Sequence, residues 1–108
     1  MFAAVYSFKV KEGRDDEFIK AWRELTQFIY SFEGSLGSRL HHEGNGTYLA
    51  YAQWPNEEVY DKAGDNLPDE ADEWRTLMRD ACISITTLHK LELIDDLLKD
   101  KPSKKADQ

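Results

Sequence analysis

The sequence predicts an α+β domain in which a four-stranded antiparallel sheet carries its helices on one face. Three observations predict it. Two alternating segments meet at Asn45-Gly46, a pair that takes positive φ readily and marks a type I′ hairpin turn. Apolar residues recur at Phe18, Trp22, Leu25, Ile29 and Phe32, at spacings of four, three, four and three, which is one stripe of an amphipathic helix. The segments then succeed one another as strand, helix, hairpin, broken helix and strand.

Phe2 to Val10 is rich in aromatic and β-branched residues and stops at the turn signal Lys11-Glu12-Gly13, so it reads as the first strand. The first helix follows over about 15–31. Asp15, Asp16 and Glu17 in its first turn suit the positive end of the helix dipole, and Gly34 is placed to stop it. The hairpin strands cover about 35–43 and 47–54. With a two-residue loop, His42 falls opposite Leu49, Leu40 opposite Tyr51 and Ser38 opposite Gln53 on one side. Gly37, Arg39, His41, Tyr48, Ala50, Ala52 and Trp54 share the other. Gly and Ala in the middle of that side either let helices pack close or leave a cavity, and a cavity bordered by Trp54, Arg39 and His41 suits a flat organic molecule.

Asn56 is placed to cap a short helix running through Lys62, which Gly64 and Pro68 interrupt. A third helix is expected over about 69–82, with Ala71, Trp74, Met78 and Ala81 inward and Leu77 beside them. The last strand is expected over 83–93, with Ile83, Ile85, Thr87, His89 and Leu91 on one face. This order fits the ferredoxin-like arrangement. The face away from the helices would carry Leu36, Leu40, Leu49 and Tyr51, an apolar patch that a homodimer with sheets packed face to face would cover.

The chain has 108 residues, 41% of them hydrophobic and 12% aromatic, which suits one domain over 1–98 followed by a disordered basic tail over 99–108. A formal net charge of −7 repels phosphate backbones and anionic lipid, so neither nucleic acid nor membrane is expected as a partner. No apolar run approaches the ~20 residues of a membrane span. The expectation is a cytoplasmic protein, in agreement with the lone Cys82, read as a buried, inert thiol. His41 and His42 face opposite sides of a strand, and with His89 they make no metal signal.

Residues 48–60, Tyr-Leu-Ala-Tyr-Ala-Gln-Trp-Pro-Asn-Glu-Glu-Val-Tyr, resemble the hallmark of the antibiotic biosynthesis monooxygenase family, small dimeric α+β barrels. Val10-Lys11-Glu12-Gly13 and Gly34-Ser35-Leu36-Gly37-Ser38 match further family features, so the likeness runs from residue 1 to about 93. The resemblance implies a monooxygenase without cofactor that oxidises a phenolic, quinol or polyketide-like aromatic molecule with dioxygen. In relatives that oxidise polyketide anthrones, a Trp closing the third strand, a Tyr six residues later and an Arg on the following helix line the pocket. Trp54, Tyr60 and Arg75 match them as catalytic candidates.

Around these, Arg39, His41, Ala50, Trp22, Trp74 and Met78 are the expected substrate-binding residues. Ala50 stands where those oxygenases carry Asn, which favours the alternative of a non-catalytic dimer that binds or senses a hydrophobic metabolite. The haem-degrading branch fits less well. It uses a first-strand Asn, where this chain has Tyr6 or Ser7, and a third-helix His, which is missing between Trp74 and Met78. The plainer roles are that Trp54 staples a strand to the short helix, that Arg75 is a solvated salt-bridging residue, and that His41 lies at the surface near the hairpin tip.

Overall fold

A computed structural model of the chain describes residues 1–98; the basic tail expected over 99–108 lies outside the described residues. The elements are β1 (Phe2–Val10), α1 (Asp15–Phe32), β2 (Gly37–Gly44), β3 (Thr47–Trp54), α2 (Glu57–Asp61), α3 (Glu70–Ala81) and β4 (Cys82–Glu92). The strands form one antiparallel sheet in the order β2-β3-β1-β4, the ferredoxin-like order, with the helices on one face. Among the described residues no helix is long and apolar enough to cross a membrane.

Strand β1 sits at the centre because its alternation gives one fully apolar face. Phe2, Ala4, Tyr6 and Phe8 pair in register with Trp54, Ala52, Ala50 and Tyr48 of β3, all on the helix side. Two apolar clusters form there. One gathers Phe8, Val10, Phe18, Tyr48, Ala81 and Cys82 beneath α1 and α3, and the other gathers Phe2, Ala52 and Trp54 near α2. Tyr6 packs against both. Between the clusters the sheet offers little beyond the methyl groups of Ala50 and Ala52, so the helices are held off it.

The hairpin turns at Asn45-Gly46 as expected, both with positive φ (55° and 76°), and Gly44 pairs with Thr47. The expected register fails one step further on. Glu43 bulges out, so His42 meets Tyr48 rather than Leu49, and every residue of β2 before it changes side. Ser38, Leu40 and His42 therefore share the helix side with Trp54, whereas Arg39 and His41 face away with Leu49 and Tyr51. Leu40, expected on the open face, packs instead against the core.

A second bulge corrects β4. Tyr6 pairs with Thr87 but Val5 with His89, which leaves Leu88 out of register. Ile85 and Thr87 then lie on the helix side with Lys90, while His89 and Leu91 turn to the open face. The chain after β4, outside any helix or strand, carries Ile94 and Leu97, which are 91% and 87% exposed.

The C-terminus of α1 is fixed by two residues. Gly34 has φ +81°, a conformation that favours glycine, and a Cβ there would also lie 3.1 Å from Val59 Cγ1, tight enough that Val59 would have to shift. The buried Glu33 carboxylate accepts from the Gly64 N–H and, at 3.3 Å, from Asn66 Nδ2. The loop between α2 and α3 is thereby tied to the end of α1.

Candidate functional site

The gap left above Ala50 and Ala52 is a cavity of about 190 Å³ between sheet and helices. Helix α1 contributes Trp22, Leu25, Thr26 and Ile29, α3 contributes Met78, and the sheet contributes Tyr6, Phe8, Ala50, Ala52, Trp54 and Ile85. A wider outer chamber of about 470 Å³ shares Tyr6, Leu25, Ile29 and Trp54 and adds Glu33, Tyr60, Asp61 and Arg75. The inner chamber is apolar and the outer one carries charge, so a ligand spanning both would bury a greasy end and keep a polar end near water.

Trp54 stands where the chambers meet. It ends β3 just before Pro55, and its ring is 4% exposed, packed edge-on to Tyr60 at 5.6 Å and 77°. Among the described residues its Nε1–H is the one buried side-chain polar group without a hydrogen-bond partner. Tyr60 is brought there by α2, which Asn56 caps by accepting from the Val59 N–H at 2.9 Å. The Tyr60 ring also rests 5.1 Å from Phe2 and beneath Lys90 Nζ at 5.7 Å.

The Tyr6 phenol lies beside the Tyr60 hydroxyl. Burial first, and then that hydroxyl, push its pKa well above the usual tyrosine range, so it remains a protonated donor at neutral pH. Arg75 lines the outer chamber with its side chain 37% exposed, and its Nη1 lies 3.6 Å from Asp72 Oδ1. So exposed a pair holds the guanidinium loosely.

Of the residues expected from the sequence, Trp22, Ala50, Trp54 and Met78 line the inner chamber and Tyr60 and Arg75 the outer one. Three are not brought to either. The Glu43 bulge turns Arg39 and His41 away, and they border a separate open groove of about 600 Å³ with His42, Tyr48, Arg23 and Trp22. Trp74 turns toward α1, where Lys20 Nζ lies 5.8 Å from its ring, while Arg75 and Met78 face the cleft.

Sequence reasoning missed Tyr6, Thr26 and Glu33 as site residues. The signals were Tyr6 in the middle of the apolar alternation of β1, and Thr26 and Glu33 each four residues beyond an apolar residue of the α1 stripe. Among the described residues no three His, Cys, Asp or Glu side chains converge as a metal site would require.

A family model described as antibiotic biosynthesis monooxygenase matches residues 1–66. No curated protein matches the chain. Solved structures share its fold at low identity. SnoaB from Streptomyces nogalater, a cofactor-independent oxygenase, aligns at 16% identity and TM-score 0.72, covering 91% of this chain and 97% of its own. A protein of Caulobacter crescentus CB15, provisionally classed as an antibiotic biosynthesis monooxygenase, aligns at 17% identity and TM-score 0.71, covering 87% and 90%. A conserved protein of unknown function from Bacteroides thetaiotaomicron VPI-5482 aligns at 16% identity and TM-score 0.67, covering 85% and 96%.

Proposed function

The chain belongs to the antibiotic biosynthesis monooxygenase family, and from that premise we propose that it is a cofactor-independent monooxygenase oxidising a phenolic, quinol or polyketide-like aromatic molecule with dioxygen. The observation that carries the proposal is the buried, unpartnered Nε1–H of Trp54 at the wall of an apolar cavity. A donor left unmet in the interior costs about 1–3 kcal/mol. A ligand oxygen that accepts from it recovers this cost on binding.

The chemistry follows from what the cavity excludes. An activated ring carbon bearing two hydrogens, flanked by a phenol or enol, gives up a proton, and the resulting anion is electron-rich enough to reduce dioxygen directly. One oxygen atom enters as a carbonyl, and the other leaves as water with the two hydrogens. Dry walls keep the anion from being quenched, Trp54 and Tyr60 donate to its oxygens, and Arg75 offsets its charge. SnoaB, a cofactor-independent oxygenase on the same fold, supports this reading.

The test is dioxygen uptake by purified, metal-free protein given a panel of anthrones and hydroquinones, against autoxidation without protein. Uptake above that background is expected to fall on the order of tenfold or more in Trp54→Phe, which loses one fixed donor, and to fall also in Arg75→Ala. Uptake that never exceeds autoxidation sinks the oxygenase.

Ala50 favours a second reading, a dimer that binds or senses a hydrophobic metabolite without turning it over. Its methyl leaves that part of the wall apolar, and it is 1% exposed. This reading expects saturable binding without oxygen consumption. Both readings include a homodimer, supported by the apolar residues on the open face of the sheet.

A further inference from the structure

The two chambers share four lining residues, Tyr6, Leu25, Ile29 and Trp54. Two are aliphatic, so the side-chain polar groups on the shared wall are the Tyr6 hydroxyl and the Trp54 Nε1–H. We propose that Tyr6 and Trp54 form a two-donor clamp for one acceptor oxygen, and that Tyr6 selects planar aromatic ligands carrying a ring carbonyl or phenolate at the junction of the chambers. This rests on the reading that the cleft holds an aromatic ligand, and it names the ligand's polar anchor.

The two serine hydroxyls along the inner chamber are already engaged, and Thr26, on helix α1, lies outside the wall that the two chambers share. Ser38 Oγ donates to the Tyr51 carbonyl at 3.0 Å, and Ser35 Oγ accepts from the Gly37 N–H at 2.9 Å while facing the Gln53 carbonyl at 3.4 Å. The Trp54 donor has no protein partner to leave. Tyr6 is fixed on the central strand, packed between the two apolar clusters, and its partner Ala50 is short enough that Tyr6 also lines the cavity. Burial and the neighbouring Tyr60 hydroxyl keep its proton in place. The Tyr60 hydroxyl, whose hydrogen bond raises the Tyr6 pKa, is the acceptor of the Tyr6 O–H, and a ligand carbonyl or phenolate, a stronger acceptor than a phenol, takes that proton over on binding.

A pair of probes that differ in one oxygen isolates this contact. Fluorenone offers a ring carbonyl, and fluorene has the same planar carbon frame without it. Equilibrium dialysis of both against wild type, Tyr6→Phe and Trp54→Phe is the experiment. Tyr6→Phe keeps the ring, so fluorene binding serves as the control for an intact cavity. The expected result is that wild type prefers fluorenone and that each variant loses on the order of tenfold of that preference, the worth of one buried hydrogen bond, with fluorene binding unchanged in Tyr6→Phe.

Equal binding of both probes by wild type, or a preference untouched in Tyr6→Phe, overturns the clamp while leaving the cavity reading intact. Binding of neither probe by wild type overturns both. A preference lost in Tyr6→Phe by a chain that never consumes oxygen upholds the clamp and removes only the oxygenase.

Discussion

Tyr48 joins the hairpin to the first helix through one short contact, its Oη donating to Asp15 Oδ2 at 2.6 Å. That hydrogen bond, then burial, pushes the Tyr48 pKa from its ordinary 10.0 up to about 12. The folded state therefore holds this proton more tightly than the unfolded chain does. The stability it contributes is complete below pH 10 and disappears as pH rises toward about 12. Tyr48→Phe is expected to cost about 1 kcal/mol in urea unfolding at neutral pH, with the gap from wild type closing over that alkaline window; a gap independent of pH assigns the cost to packing instead. At this scale the sequence was informative where chemistry is local or carried by the family likeness, as with Trp54, Tyr60 and Ala50. Tyr6 was hidden because its significance comes from its cross-strand partner Ala50, forty-four residues away (50 − 6), and from a cavity that no run of residues displays.

Element positions were legible wherever a periodic face and a terminal signal agreed, as in β1, α1 and β3, and their faces were not where a bulge intervened. Glu43 and Leu88 each insert one residue into an alternating strand, and alternation alone carries no mark of which residue stands out. One such residue was enough to carry Arg39 and His41 away from Trp54. The short helix α2 gives the opposite lesson. Its Asn56 cap was readable, and with only five residues the helix depends on it. Asn56→Ala is expected to cost about 1 kcal/mol, and because α2 carries Tyr60 into the outer chamber, ligand affinity falls in step. The paired readout is a denaturation midpoint beside fluorenone dialysis; a midpoint shift with unchanged affinity separates α2 from the site.

At the scale of the whole molecule, the ferredoxin-like sheet covers one face with helices and leaves the other to Leu49, Tyr51, His89 and Leu91, with Leu36 nearby at 56% exposed. Full cover of a Leu-sized side chain contributes about 1.5–3 kcal/mol, and association costs roughly 4–15 kcal/mol. A two-fold contact counts each residue twice, and since these side chains are already about half covered in one chain, four per copy supply roughly 6–12 kcal/mol, within the range of that cost. The expected mass by sedimentation is twice the 12.5 kDa of one chain. Tyr51 lies at mid-strand on this face, between Val5 and Arg39. Tyr51→Lys places a charge where the partner's apolar residues would lie, and it is expected to halve the mass without disturbing the helix-side cavity, so fluorene still binds. A wild-type chain that sediments at the single-chain mass across concentrations refutes the dimer, and then the apolar face must be covered by something other than a second copy. If Tyr51→Lys abolishes fluorene binding along with the dimer, the cavity depends on the partner for its shape, and the ligand site is a property of the assembly rather than of one sheet and its helices.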